Sequence, residues 1–198
     1  MKIIQTVYEK SGIQIDSKRT LFETLENPSG QTIVQGRIFY RGPISPSAHR
    51  QWPRIKFDLT HDEILIFNPI SNPIFHQYSD ASEFENLLIQ TYGIEELFIE
   101  KTRALLERTR PRDLFDVVEI WKREERALRN VMSLNSHFRK KCAFKNVDIQ
   151  NLSSSKIEGC RIGWKDQLEH QLSSLPNFEN YFEFFRNTIF PVFEKNIS

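Results

Sequence analysis

Apolar and polar positions alternate through the first half of the chain, as they do in half-buried β-strands. The alternation covers residues 13–41 and returns at 54–59. In this last segment the apolar side chains are predicted to share one sheet face, while Lys56 and Asp58 share the other. The pattern predicts a small, mostly antiparallel sheet over roughly residues 13–91, preceded by a short helix at the start of the chain.

Three segments in the middle of the chain continue the predicted sheet. Residues 64–70 form an apolar run that is predicted to be a strand, and residues 74–78 are predicted to form a short edge strand. Residues 85–91 are compatible with either a helix or a strand on propensity alone.

From residue 93 the apolar positions recur every three and four residues, which is typical of amphipathic helices. Two helices are predicted to meet at a polar joint, where Pro111 suits the first turn of the second helix. Further helices are predicted up to residue 193, with a polar connector at 151–156. The predicted fold class is therefore α+β, with a β-rich part at 1–92 and a helical region at 93–198 packed on it.

Composition indicates a soluble globular protein, with 39% hydrophobic residues, 27% charged residues and a formal net charge of +1. Between residues 101 and 145 there are thirteen basic and six acidic residues, a local excess that could line a surface for a polyanion. No apolar run approaches the roughly 20 residues of a membrane span. Cys142 and Cys160 form no metal-binding pattern, so we expect reduced thiols in a cytoplasmic protein.

The joint between the two predicted helices gathers charged residues. Lys101 lies on the apolar face of the first helix, where its charge is costly unless it meets an anion or reaches water. Asp113 and Asp116 lie one turn apart on the second helix. These residues could form a site for a phosphate and a metal ion. On spacing alone a structural role is favoured, in which Asp113 complements the helix dipole and Asp116 pairs with Arg112.

The order of residue types at this joint resembles a known family. Residues 95–116 follow the pattern E-E-L-x-x-E-K-x-x-A-L-L-x-R-x-x-P-R-D-L-F-D, which is similar to that of the AbiEii nucleotidyltransferase-like toxins. In that family a lysine on one helix and an arginine–aspartate pair on the next contribute to the nucleotide site. Residues 54–60 resemble the family's strand with a late carboxylate, and residues 164–178 resemble its helical tail.

The resemblance implies a role for each candidate residue. Asp58 would be the base or a metal ligand that activates the attacking hydroxyl, although an aspartate in this setting is also a common turn former. Lys101 would neutralise triphosphate charge, and Arg112 would contact phosphate or orient Asp113. Asp113 and Asp116 would anchor Lys101 and the nucleotide.

The resemblance also implies a function and partners. Such proteins use a nucleoside triphosphate and Mg²⁺ to modify an RNA, with tRNA as the expected target, and they are paired with a cognate antitoxin. The nucleotidyltransferase superfamily supplies its metal ligands from an Asp-x-Asp motif that follows a Gly-Ser turn. Neither motif occurs among these 198 residues. The sequence does not fix the oligomeric state.

Three explanations fit this departure: the chain is a fragment, its start is misplaced or truncated, or catalysis has been lost. We therefore expect little or no transferase activity from residues 1–198 alone. One alternative is a non-catalytic module that binds nucleic acid or a partner through the basic helical face. Another is a structural dimerisation domain built on the C-terminal phenylalanines.

Overall fold

The chain has an α+β fold with small antiparallel sheets and several helices. It forms two compact units, Met1–Glu63 and Ile64–Ser198, so residues 64–92 group with the helices. The predicted division at residue 92 placed them with the sheet. The computed structural model describes residues 2–26, 32–44, 52–60, 63–75, 77, 79, 81–129 and 134–194.

The described residues of the first unit form one helix and a four-stranded antiparallel sheet. Helix α1 ends before Gly12, whose φ of +67° is strained for any residue with a side chain. Strand β3 lies between β2 and β4, and β1 pairs with its last residues. The elements are α1 (Lys2–Ser11), β1 (Gln14–Ile15), β2 (Leu21–Glu26), β3 (Thr32–Arg41) and β4 (Arg54–Thr60).

The strand register confirms the predicted faces of β4. Phe57 aligns with Gly36 and Phe22 on one face, while Lys56 and Asp58 lie on the other. The Phe22 ring lies over Gly36, where an added Cβ would clash with it. Glycine is therefore required at this position so that the two phenylalanine rings can approach across the central strand.

The second unit begins with irregular chain, and the strand predicted at 64–70 is wrong for residues 64–69. The backbone N–H groups of Ile66 and Phe67 donate to the carboxylate of Glu96 at 2.9 and 3.0 Å. A side chain thus satisfies donors that a strand would have placed in a sheet.

A β-hairpin follows this irregular segment. It consists of β5 (Ile70–Pro73) and β6 (Leu88–Thr91), so the strand alternative for 85–91 is confirmed for β6. Ile74, Phe75 and Gln77 lie outside any strand, which makes the predicted edge strand wrong at those residues. His76 and Tyr78, which completed that prediction, lie outside the described residues.

The two helices predicted at the centre of the chain are confirmed as α2 (Ile94–Arg108) and α3 (Pro111–Arg129). Gly93 is the extended residue before α2, and Pro111 occupies the first turn of α3 as predicted. Between them Thr109 adopts a left-handed conformation with φ 48°, and its N–H donates to the Leu105 carbonyl. Helix α3 is bent at Glu124, where φ is −121° and ψ is 20°.

The remaining helices are short. The polar connector predicted at 151–156 is partly wrong, because α5 begins at Ser154, and only Trp164–Leu168 is α-helical between residues 162 and 175. The final helix is continuous, with a π-helical segment at Phe185–Ile189. These helices are α4 (Leu134–Phe144), α5 (Ser154–Glu158), α6 (Trp164–Leu168), α7 (Phe178–Phe184) and α8 (Phe190–Glu194).

The aromatic residues form the core of the helical unit. The Phe98 ring packs on Trp121 at 5.4 Å and on Phe193 at 6.1 Å between centroids, and Phe138 packs on Phe193 at 4.6 Å. All four are fully or almost fully buried. The C-terminal phenylalanines thus contribute to the core. No helix among the described residues combines the length and apolar character needed to cross a bilayer.

Candidate functional site

A cleft of about 460 Å³ lies where α2 and α3 pack together. Helix α2 contributes residues at spacings of three and four, which therefore share one helix face. The lining combines four apolar side chains with five charged ones, of which Lys101 and Arg123 are cations. The lining residues are Ile94, Leu97, Lys101, Phe115, Asp116, Glu119, Ile120, Arg123 and Glu124.

Lys101 and Asp116 form an ion pair at this cleft. The Lys101 Nζ donates to Asp116 Oδ2 at 2.6 Å, and the two side chains are 32% and 35% exposed. Asp116 therefore contacts Lys101, as the predicted anchoring role requires, and not Arg112. The ammonium group stays accessible, so an anionic ligand in the cleft could contact it without the helices separating.

The partner of Asp113 is Arg108, which is not one of the predicted site residues. Arg108 donates to both carboxylate oxygens of Asp113, at 2.7 and 2.8 Å, and Asp113 is fully buried. These hydrogen bonds raise the pKa of the Arg108 guanidinium. Arg112 is exposed, and its side chain makes no hydrogen bond or ion pair within the described part of the chain. The expectation that Arg112 orients Asp113 is therefore wrong.

A buried charged cluster lies outside the set of predicted site residues. The Lys141 Nζ donates to Glu96 Oε1 and to the Ile64 carbonyl, each at 2.7 Å, and lies 3.4 Å from Glu100 Oε2. Lys141 and Glu96 are almost completely buried. Glu96, Glu100 and Arg103 are spaced by four and three on α2, so their shared face could have been recognised. Lys141 is 45 residues from Glu96, and no local spacing indicates such a partner.

Arg103 completes the charged face of α2. Its guanidinium donates to Glu100 Oε2 at 3.1 Å and to Glu107 Oε2 at 2.8 Å. Burial alone would raise the pKa of Glu100, but the hydrogen bonds and charges of Arg103 and Lys141 hold it below its usual 4.5. This cluster connects α2, α4 and residue 64, and each of its two cations is paired with carboxylates.

Many basic residues of the run at 101–145 form such pairs. At least seven of the thirteen contact a carboxylate, so these seven are less available to a polyanion than the sequence alone suggests. The paired residues are Lys101, Arg103, Arg108, Lys122, Arg123, Arg129 and Lys141.

Asp58, the remaining predicted site residue, belongs to the first unit, whereas Lys101, Asp113 and Asp116 belong to the second. It is exposed on the polar face of β4, opposite Gln35 of β3. Its catalytic role stays a prediction.

The carboxylates of Asp113 and Asp116 are not placed to share a Mg²⁺ ion. Within the described ranges, no group of three or more His, Cys, Asp or Glu residues is placed to hold a metal ion. Both oxygens of Asp113 are engaged by Arg108, and Asp116 is engaged by Lys101. Cys142 and Cys160 are buried free thiols, and burial raises the pKa of each to about 12, which keeps them protonated.

Comparison with known proteins places the chain in a family. No curated protein and no solved structure matches it. A family model described as "Nucleotidyl transferase AbiEii toxin, Type IV TA system" matches residues 7–185, which includes both helices of the cleft. The chain therefore belongs to the AbiEii family of nucleotidyl transferase toxins of type IV toxin–antitoxin systems.

Proposed function

We propose that the chain binds a nucleoside triphosphate in the cleft between α2 and α3, as part of a toxin that transfers a nucleotide to RNA, with tRNA as the acceptor. The main support is the partly exposed Lys101 side chain beside apolar lining residues in a member of a nucleotidyl transferase family. Apolar side chains suit a nucleobase, and a neighbouring cation suits its phosphates.

The proposed roles follow from the contacts. Lys101 neutralises phosphate charge, while Asp116 holds its ammonium at the cleft before the ligand enters. The exposed guanidinium of Arg112 is free to contact a phosphate. Asp113 acts through Arg108 as a positioning residue that fixes the joint between the helices.

The proposed cofactors and partners come from the family. The complete reaction uses Mg²⁺ and a nucleoside triphosphate, the toxin is paired with a cognate antitoxin, and its compartment is the bacterial cytoplasm. Bound Mg²⁺ would supply charge neutralisation on the triphosphate. Asp58 is proposed as the base or metal ligand of that reaction.

The missing Gly-Ser and Asp-x-Asp motifs favour a second candidate, a non-catalytic module that binds nucleic acid or a partner. Incubation of residues 1–198 with RNA, labelled nucleotides and Mg²⁺ separates the two. RNA binding without labelling supports the module. Robust labelling that depends on Mg²⁺ would show that the chain is catalytic by itself.

Calorimetric titration with ATP, GTP, CTP and UTP, with and without Mg²⁺, tests the proposed nucleotide site. We expect saturable binding of at least one nucleotide and a loss of about ten-fold or more in affinity for Lys101→Ala, because a charged hydrogen bond is worth about 1.5–3 kcal/mol. Lys140→Ala, an exposed lysine outside the cleft, is the matched control. If Lys101→Ala binds as well as the native chain, the cleft is not the nucleotide site.

A further inference from the structure

Besides the cleft of the helical unit, the protein has a charged cavity of about 280 Å³ in the first unit. It lies on the polar face of the sheet. Arg37 on β3 and Arg54 and Lys56 on β4 line it, together with the side chains of Gln35 and Asp58. Three cations and one carboxylate leave an excess of positive charge among the described lining residues. The cavity is separate from the cleft of the helical unit, which contains Lys101.

The strand register brings like charges together on this face. Arg37 is directly opposite Lys56, and such neighbours have Cβ atoms about 5 Å apart. Arg54 lies two residues from Lys56 on the same face, about 6.7 Å along the strand. Like charges that face each other across strands destabilise a sheet. This arrangement therefore lowers stability unless an anion joins it.

The cations of this cavity form no ion pair among the described residues, although Asp58 and Glu23 of β2 lie on the same sheet face. The side chains of Arg37, Arg54 and Lys56 make no hydrogen bond or ion pair with any residue that the structure describes, and the same holds for the side chain of Asp58. In the helical unit most basic residues of the 101–145 run are instead paired with carboxylates. The sheet face thus keeps its positive charge available to a ligand.

An aromatic residue extends the basic face. Phe39 is opposite Arg54 in the register, and the Arg19 guanidinium lies 4.2 Å from the centre of the Phe39 ring. Cations interleaved with an aromatic ring are typical of nucleic-acid-binding surfaces, where phosphates meet the cations and bases stack on planar groups.

We propose that this face, defined by Arg37, Arg54 and Lys56 with Phe39 beside them, binds the phosphate backbone of the RNA acceptor. The inference rests on the proposed function, in which RNA is the acceptor. RNA fits because it presents successive phosphates to successive cations, and each neutralised phosphate releases counterions. The Asp58 carboxylate lies within the same cavity and opposes this binding by charge.

Fluorescence anisotropy with a labelled tRNA transcript and the full chain tests the proposal, over salt concentrations of about 50–200 mM. Each lost phosphate contact should weaken binding roughly four- to six-fold near 0.15 M salt and lower the salt slope by about one. Arg37→Ala with Lys56→Ala should therefore lose roughly 15- to 30-fold. Lys10→Ala, an exposed lysine on α1 of the same unit, should change affinity less than about two-fold.

A variant that is expected to bind RNA more tightly distinguishes a lost contact from a loss of folding. Asp58→Asn removes the carboxylate of the cavity and should tighten RNA binding. Replacing either Arg37 or Lys56 removes the repulsion between these facing cations. It should therefore not lower the melting temperature measured by circular dichroism. Unchanged RNA affinity in both the Arg37/Lys56 double variant and Asp58→Asn would overturn the proposal. If excess ATP displaces the labelled RNA from Lys101→Ala as well as from the native chain, the proposal is also overturned. The cavity would then be assigned to a triphosphate.

The nucleotide titration separates this inference from the proposed function. Lys101→Ala should lose nucleotide binding and keep RNA binding, and the Arg37/Lys56 double variant should do the reverse. RNA binding through the sheet face without any nucleotide binding would refute the nucleotide cleft and support the inference. Nucleotide binding at the cleft without RNA binding at the sheet face would refute only the inference.

Discussion

The helical unit and the sheet unit place their charged and apolar side chains differently. Among the described residues every buried hydrophobic side chain lies between Phe98 and Phe193, in the helical unit. The same unit buries four charged residues, each paired with an opposite charge: Glu96, Arg103, Asp113 and Lys141. The sheet unit has Ile55 and Leu59 about half exposed, and its cations are unpaired at the cavity.

This difference separates charges that stabilise from charges that can bind. A buried charge loses its hydration, so it requires a partner, and removing that partner is costly. An exposed cation keeps its hydration and contributes little to stability, but it can exchange water for a ligand. We therefore expect stability effects to concentrate at the buried pairs of the helical unit. Binding effects should concentrate at Lys101 and at the cations of the sheet.

The largest loss of stability should follow removal of Lys141. Lys141→Met leaves the buried Glu96 carboxylate without its cation, and breaking a buried pair in this way costs about 3–5 kcal/mol. Urea unfolding followed by tryptophan fluorescence measures it, since Trp121 and Trp164 both lie in the helical unit. The neighbouring exposed Lys140→Ala is the control and should stay within about 0.5 kcal/mol.

The double variant Glu96→Gln with Lys141→Met should recover part of this loss, because no unpaired buried charge remains. A cost for Lys141→Met no larger than that for Lys140→Ala would contradict the view that the buried pair stabilises the helical unit.

A smaller loss is expected at the joint between α2 and α3. Arg108→Ala removes two hydrogen bonds from the fully buried Asp113, which should cost about 2–3 kcal/mol in the free energy of unfolding. Arg112→Ala is the matched arginine, and because it is exposed and unpaired among the described residues it should cost less than about 0.5 kcal/mol. Equal effects at the two positions would refute the assignment of Arg108 as the partner of Asp113.

The parts of the fold that could be predicted are those fixed by local pattern. Helices α2 and α3 follow from apolar spacing and from Pro111, and the alternation at 54–60 gave the faces of β4. The irregular chain at 64–69 could not be predicted, because the Glu96 side chain accepts its backbone hydrogen bonds from about thirty residues away. An apolar run is predicted to be a strand when the side chain that accepts its backbone hydrogen bonds is distant in the sequence.

The same limit applies to the candidate site. Lys101 was identified because a cation on an apolar helix face is unusual. The prediction that Arg112 orients Asp113 is wrong because the regular spacing of residues along a helix does not extend from α2 into α3. The left-handed Thr109 turns the chain between them, and it places a residue five positions earlier against the carboxylate.

Similarly, Lys141 belongs to a run that looks exposed, and its burial depends on Glu96.

A still smaller effect should appear as pH dependence at Glu100. Its folded pKa is lowered despite burial, through Arg103 and Lys141, so the charged form contributes stability above the unfolded pKa. That contribution is lost as pH falls through the folded pKa, below the usual 4.5. Glu100→Gln should therefore cost about 1 kcal/mol near pH 7 and less at low pH, as urea unfolding would measure. A difference from the native chain that does not change with pH would contradict this assignment.

The smallest expected change in stability is at Lys101, which belongs to a partly exposed ion pair of the helical unit. Because Lys101 and Asp116 are each about one-third exposed, their ion pair should contribute less than about 1 kcal/mol, so Lys101→Ala should unfold at nearly the native urea concentration. The same variant is expected to lose nucleotide affinity, and with folding intact that loss reports a missing contact. If Lys101→Ala instead destabilises the chain as much as Arg108→Ala, the pair belongs with the stabilising buried charges, and its place in a nucleotide site loses its support.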